Sequence, residues 1–439
     1  MPSRHDNLFD QFAGFTALHE AWRKAVLGKR RKPGAAAFTA GLETQLLRLE
    51  RELRDHTWKP GRYVTIEVRD PKHRLVSAAP FRDRVVHHAL CAVIAPLFER
   101  GFIDHSYANR TGKGTHRAVD RYERWRDRYR YVLRCDIYRF FPAIDHEVLK
   151  ADFRRRIACV DTLWLLDAIV DGSNKQEPVN IHYFGDTLFT PFERRRGLPI
   201  GNLTSQLFAN VHLDGLDHFA TEVLRAPYLR YVDDFALFHD DPAVLAEWRD
   251  RIAAWLARRR LSLNARKTVI QETARPAAFL GYVLSPAGRR LPEDNVRRFR
   301  NRLRGLRDRW QAGSIEASDV QARIGAWIAH ASHADTWRLR HAIFRDGWFD
   351  MVPFGPAVRR PGRPPAGVWC AAGPGTTIQG TSARATATGT TPTTGTRTPV
   401  SGWPARIHAH VGRARVGRIT VRPSVPRVRS GTAMMSGAG

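Results

Sequence analysis

The sequence predicts an α+β protein: helices at both ends, an antiparallel sheet packed on helices between them, and a disordered C-terminal tail. Three observations carry this expectation. Apolar residues recur at three- and four-residue spacing before residue 57 and again between 293 and 345. Between those stretches lie short runs rich in β-branched and aromatic residues, the composition of strands. From Gly355 to Gly439 the chain has no Asp, Glu, Lys or Asn, and Pro, Gly, Thr, Ala and twelve arginines dominate. Such a segment cannot bury enough apolar surface to order itself.

In chain order, FTALHEAWRKAVLG and FTAGLETQLLRLERELRDH read as helices, separated by the basic, Pro/Gly-broken turn KRRKPG. YVTIEVRD (63–70) alternates like a strand, and PKHRLVSAAP follows it. FRDRVVHHALCAVIAPLFERGF (81–102) reads as a helix kinked at Pro96. RYVLRCDIYRFF (130–141) is a strand running into a turn. LRYVDDFALFH (229–239) has apolar residues on both sides of Asp233 and Asp234, the pattern of a hairpin with two acids at its tip. Residues 293–312 and 314–345 read as amphipathic, Arg-rich helices, and no internal repeat is present.

A chain of 439 residues exceeds what one compact core usually holds, so two or three subdomains are expected. With 71 Lys and Arg against 43 Asp and Glu the net charge is +28, of which the first 354 residues keep +16. Such a balance calls for a polyanionic partner, bound through release of phosphate counterions. No run of roughly 18 apolar residues could span a membrane, and the N-terminus lacks the apolar stretch of a signal peptide. Cys91, Cys135, Cys159 and Cys370 have neither metal nor disulfide spacing. A cytoplasmic protein without a membrane partner is the expectation.

An acid on an apolar strand is costly unless it has a task. Asp136 ends YVLRCD, and Asp233 and Asp234 separate LRYV from FALF. A lone Asp-Asp pair is ordinarily a polar turn, but this one is preceded by a second strand-borne acid. Nucleotidyl transfer demands such a set. It uses two divalent cations about 3.5–4 Å apart, one activating a 3′ hydroxyl and one holding a triphosphate. Mg²⁺ takes carboxylate, phosphate and water oxygens for this. Other conspicuous groups read blandly: His87 and His88 as core or surface histidines, His239, Asp240 and Asp241 as a solvated turn, and Gly112 to Gly114 as too short for a phosphate loop.

At these residues the chain resembles reverse transcriptases. YVDDF (231–235) resembles their catalytic hairpin, CDIYRFFPAID (135–145) their first carboxylate motif, and GLPIGNLTSQLFAN (197–210) the motif that packs against template and incoming nucleotide. LSLNARKT (261–268) and FLGY (279–282), similar to the primer grip, follow in the family's order. PKHRLVSAAPFRDRVVHHAL (71–90) and SYANRTGKGTHRAV (106–119) precede them. The resemblance covers roughly residues 7–350 and implies a right-hand polymerase. Its parts would be N-terminal helices and fingers over 1–120, a palm with catalytic hairpin and primer grip over 121–285, an α-helical thumb over 286–352, and a basic low-complexity tail over 353–439.

The roles that follow are those the resemblance implies. Asp136, Asp233 and Asp234 would be catalytic, and Asp136, Ile137, Asp233 and Asp234 would hold two Mg²⁺ ions. Lys72 and Arg74 would grip the triphosphate, a task suited to their donors, with a solvated basic loop as the alternative. Phe141 would be the gate against a ribose 2′ hydroxyl, with Phe140 the competing candidate. Ile200 stands where accurate relatives keep a Gln; losing that hydrogen bond is a route to misincorporation, and an ordinary apolar contact is the alternative. Gln206 would contact template or nucleotide, and Lys267 would sit near the triphosphate as a general acid. Phe279, Leu280 and Gly281 would form the primer grip.

LPIGNLTSQ, FRDRVVHHAL, SYANRTGKGTHRA and IAHASHADTWRLR (328–340) are similar to the reverse transcriptases of diversity-generating retroelements, relatives of the group II intron enzymes. Membership would imply a template RNA, its adenine-mutagenised cDNA, dNTPs and a small basic accessory protein as partners. Asn109 departs from a Cys common in that branch. A defence-type or group II intron-like enzyme, and a non-catalytic RNA-binding scaffold, remain alternatives. Residues 368–404 can be reread one nucleotide out of frame as an Asn-rich string like the end of a variable protein, because each Thr codon then becomes a codon ending in AC. A basic RNA-binding arm is the other reading of that tail.

Overall fold

A computed structural model describes residues 4–68 and 74–345. Lys72 and the tail, with its shifted-frame reading, lie outside the described residues. The chain opens with α1 (Asp10–Ala13), α2 (Phe15–Val26), α3 (Pro33–Ala40) and α4 (Leu42–Arg54), then β1 (Val64–Val68), β2 (Arg74–Ala78), α5 (Phe81–Glu99) and α6 (Thr115–Arg126). Next come β3 (Tyr131–Asp136), α7 (Phe140–Ala143), α8 (His146–Arg154), α9 (Val160–Asp171), α10 (Thr190–Glu193) and α11 (Leu203–His218), which continues into a π-helical turn, Phe219–Val223. Then follow β4 (Tyr228–Tyr231), β5 (Asp234–His239), α12 (Pro242–Arg258), β6 (Val269–Glu272), β7 (Ala277–Phe279), β8 (Tyr282–Ser285) and β9 (Gly288–Arg290). Three helices close the described chain: α13 (Glu293–Gln311), α14 (Ala317–Ala331) and α15 (Trp337–Phe344).

The mixed helix and sheet content agrees with the sequence, and the local differences have physical causes. The helix expected over 38–56 breaks at Gly41, between α3 and α4. The turn before it donates Pro33 to the first position of α3, where no intrahelical N–H is needed. The stretch 314–345 is two helices, because Thr336 Oγ1 donates to Ala331 O at 2.6 Å and Asp335 N to Arg289 O at 2.8 Å, turning the chain. Asp240 and Asp241 are tied rather than simply solvated: Asp240 accepts from Arg130 N at 2.9 Å, and Asp241 caps α12 through Ala243 N at 2.8 Å. Helix α12 itself is announced by Asp241–Pro242 and buries Leu245, Trp248, Ile252 and Leu256 along one face.

The central sheet has the order β4-β5-β3-β6 and is antiparallel throughout. Both its faces are covered. Leu133, Cys135, Phe235 and Leu237 face a large core shared with α5, α11 and the N-terminal helices. Val132, Leu229, Ala236 and Phe238 face a second core made with α6 and the β7-β8-β9 sheet. Burial on both sides explains why FALF is a continuous apolar run instead of an alternating one. Inside the first core, α5 packs against α2 and α11, with Val85, Val86, Leu90 and Ile94 fully buried. A third core joins α13, α14 and α15, where Phe299 and Trp327 stack at 3.8 Å.

Candidate active site

The β3–β5 register decides which acids meet. Asp136 on β3 lies directly opposite Asp234 on β5, and Tyr231 on β4 pairs with Asp234 from the other side. Val232 and Asp233 form the turn between β4 and β5. Asp136 is 6% exposed. It accepts from Asn264 Nδ2 at 3.0 Å and from Lys267 Nζ at 2.5 Å, and its main-chain oxygen accepts from Asn264 N at 2.8 Å. The 261–268 segment is drawn there by a bridge between Ile137 and Leu263 and by the Tyr138 N to Ser262 O bond of 2.8 Å.

Asp234 has its pKa pushed up to about 7. Burial is the main cause, followed by the charges of Asp233 and Asp136, with Lys267 pulling the other way. A hydrogen bond to Asp136 adds to the rise. Two or three carboxylates crowded against one lysine hold unbalanced negative charge, and a divalent cation would relieve it. Asp136, Asp233 and Asp234 are the residues that could hold such a cation. Among the described residues no group of three or more His, Cys, Asp and Glu side chains is arranged to hold a metal ion.

The turn carrying these acids is strained. Val232 has φ +58°, a conformation that a β-branched residue reaches only under constraint. The constraint is Arg230, which the sequence did not single out. It is fully buried and donates from Nη1 to Val232 O at 2.9 Å and to Asn210 Oδ1 at 3.1 Å. Nε and Nη2 form a fork on Asp217 at 2.7 and 2.6 Å, and Nη2 also reaches Ser106 Oγ at 3.2 Å. Tyr228 OH donates to the same Asp217 at 2.8 Å. One β4 side chain, anchored on Asp217 of α11 thirteen residues earlier, thus fixes the main chain just before Asp233.

A second group gathers along β2. Ser77 N donates to Ile200 O at 2.9 Å. Asn202, which is buried, accepts from Ala79 N at 3.2 Å and donates to Ser77 O at 3.0 Å. Gly201 between them has φ +109°, and a Cβ there would lie 2.9 Å from Val76 Cγ1, so only glycine fits the seam. Ile200 is half-buried, and Arg74 opens β2. Phe141, also half-buried, accepts at its main-chain oxygen from Leu198 N at 2.9 Å, while Phe140 packs inward at 2% exposure. Gln206 is half-buried on the first turn of α11. The structure therefore joins β2, which Arg74 opens, with Phe141, Ile200 and Gln206 through main-chain bonds around 198–202.

Phe279 ends β7, and Leu280 and Gly281 form a two-residue turn into β8 with φ +46° and +88°. Two positive φ values suit the twist of a tight hairpin. Tyr122 stacks on Phe279 at 4.7 Å, and Tyr282 OH reaches His116 Nε2 at 3.1 Å and His330 Nδ1 at 3.0 Å. Arg134 Nη1 donates to Ala278 O at 2.8 Å, which ties this hairpin to β3. Asn109 has φ +55°, a region that Asn tolerates.

Residues 66–284, from within β1 to β8, match the family described as reverse transcriptase (RNA-dependent DNA polymerase). The chain is 25% identical over 186 residues to Protein YkfC of Escherichia coli (strain K12), a match covering 41% of this chain and 46% of that protein. The chain thus spans less than half the length of this curated relative. Among solved structures, telomerase from Candida albicans in complex with a TWJ fragment of telomeric RNA aligns at 12% identity and a TM-score of 0.34, over 52% of this chain and 44% of that one. Apo telomerase from Candida tropicalis, truncated from its C-terminal domain, aligns at 12% identity and 0.32, over 54% and 57%. The family match spans both acid-bearing strands, the Ile200 seam and the Phe279 hairpin, so the chain carries a reverse transcriptase domain over residues 66–284.

Proposed function

We propose that the chain is an RNA-directed DNA polymerase that copies a template RNA into cDNA by two-metal nucleotidyl transfer, within a diversity-generating retroelement. The observation that carries the polymerase reading is the register pairing of Asp136 with Asp234 beside Asp233, inside a reverse transcriptase domain. Two Mg²⁺ ions would activate the primer 3′ hydroxyl and hold the triphosphate of the incoming dNTP. The chain's own groups do the rest. Asp136 and Asp234, held on neighbouring strands, bring two carboxylates to one point without rotamer search. Arg230 keeps Asp233 presented at the tip. Lys267 balances Asp136 and lies within reach of a leaving pyrophosphate bound at the acids, where an ammonium would supply a proton. Arg74 and Lys72 hold phosphate oxygens, and Phe141 excludes a ribose 2′ hydroxyl.

Ile200 supports the error-prone subtype. Its main-chain oxygen accepts from Ser77 N, and its apolar side chain has no hydrogen-bonding group, where the resemblance implies a Gln in accurate relatives. The motif wording FRDRVVHHAL and IAHASHADTWRLR supports the same branch. Extension of oligo(dT) on poly(rA) with Mg²⁺ tests the polymerase. Absence of product from the wild-type chain, even with an accessory protein and native RNA, would favour a scaffold. Sequencing the cDNA made on a defined RNA tests the subtype: errors should concentrate opposite adenine, and an even spread removes the diversity-generating reading.

A further inference from the structure

Phe140 and Phe141 sit on a turn whose main chain is held on both sides. Arg139, just before them, has φ +45°, a left-handed conformation that a non-glycine residue keeps only under constraint, and its Nη1 donates to Pro178 O at 2.9 Å. Beyond them, Leu198 N donates to Phe141 O at 2.9 Å and Gly197 N to Ile144 O at 2.8 Å. The rings are held differently. Among the described residues Phe140 has two ring neighbours: Phe141, met edge-on at 5.5 Å and 64°, and His212 of α11, nearly parallel at 6.4 Å and 27°. Phe140 is buried, so its ring cannot tilt unless one of those neighbours moves.

His212 is a costly residue to place behind it. It is 1% exposed. Its Nδ1 lies 2.9 Å from Asp152 Oδ2 on α8, and since a carboxylate only accepts, Nδ1 carries the proton. Asp152, also buried, accepts in addition from Arg259 Nη2, just past α12, whose guanidinium lies 5.4 Å from the Trp255 ring. Burial holds the His212 imidazole below its usual pKa, although Asp152 pulls the other way. Nε2, the other ring nitrogen, is buried with no hydrogen-bond partner among the described residues. A leucine or phenylalanine would back Phe140 without leaving that nitrogen orphaned. What the imidazole adds is a fixed plane: its bond to Asp152, itself pinned by Arg259, sets the angle of the ring as apolar packing alone does not. The chain of contacts from Arg259 through Asp152, His212 and Phe140 ends on Phe141.

We propose that His212 and Asp152 are positioning residues for sugar selection: Asp152 fixes the His212 ring, which holds Phe140 against Phe141 and keeps the Phe141 ring from tilting away from a ribose 2′ hydroxyl. This rests on Phe141 being the sugar gate of the function proposed above.

The test is single-nucleotide addition by the full chain with Mg²⁺, comparing kcat/KM for dGTP and GTP opposite a template cytosine, alongside thermal unfolding. Phe141→Ala examines the gate itself and should cut the dGTP-to-GTP ratio about tenfold or more. His212→Phe keeps a ring behind Phe140 but drops the tether to Asp152, and His212→Asn keeps a donor for Asp152 but drops the ring. Each should lower the ratio about three- to tenfold, the worth of one aromatic contact, and should do so through a gain in GTP use. Loss of folded protein lowers the use of both nucleotides together and cannot produce that gain. An unchanged ratio in either His212 variant that shows a cooperative unfolding transition overturns the proposal. If Phe141→Ala cuts the ratio and the His212 variants do not, the gate stands and the positioning role falls. An unchanged ratio in Phe141→Ala, or no addition by the wild type, removes the gate and the positioning role together.

Discussion

Asp234 carries two properties that pull apart, and both can be measured. Its raised pKa comes from burial beside Asp233 and Asp136, so in the metal-free protein its proton is bound more tightly folded than unfolded. The folded value, about 7, lies above the unfolded one, so stability from this group is present at low pH and is lost as pH rises from about 4 through 7. Asp234→Asn should therefore raise the unfolding midpoint by about 2 °C or more at pH 8, with little change at pH 4, while abolishing extension. A variant that is less stable at pH 8 would contradict the crowding argument. Ile200→Gln should lower misincorporation roughly two- to tenfold, the effect of one net hydrogen bond, as read by sequencing of cDNA. Unchanged errors would make Ile200 an ordinary apolar contact. His87 and His88 shift the other way. Burial, with neighbouring cations, holds them down to about 3 and about 4, below their unfolded values. Their contribution is present above about pH 6.5 and is lost as pH falls toward 4, where acid unfolding should begin.

At the scale of elements, the β4–β5 turn depends on Arg230. Arg230→Met leaves Asp217 and Tyr228 facing each other without a cation and should cost about 3–5 kcal/mol in chemical denaturation. Arg230→Lys keeps the charge but not the fork, so it should retain most of the fold while lowering kcat more than it raises KM. Equal effects of both variants on kcat and stability would reduce Arg230 to a purely structural residue. The sequence shows the strands around Asp136 and Asp234 clearly, because an acid amid YVLRC or FALF is conspicuous. It does not show Arg230 meeting Asp217, or Asn202 meeting β2 across 125 residues, since neither pair follows a spacing rule. Asn264 lay within LSLNARKT, and only the fold turns its amide onto Asp136. Helix α12 could have been read from Asp241–Pro242, a cap followed by a first-turn proline.

At the scale of the whole molecule, three cores with distinct members divide the labour. One holds the N-terminal helices, α5, α11 and one face of the sheet. A second holds the other sheet face with α6 and the β7-β8-β9 sheet, and the third holds the last three helices. The acids therefore stand at the end of a sheet clamped on both faces. The helix period and the compositional break made the two ends of the chain legible, whereas the division into three cores depends on contacts that no local pattern encodes. The central claim is that Asp136, Asp233 and Asp234 form one metal-dependent polymerising centre. Single-nucleotide addition to a primer on an RNA template, titrated with Mg²⁺, tests it most directly. The wild type should add dTTP opposite adenine with a saturable Mg²⁺ dependence, and Asp136→Asn or Asp234→Asn should add it about a thousandfold more slowly with unchanged primer–template affinity. Addition by either variant at the wild-type rate, or addition by the wild type without any divalent cation, would contradict it.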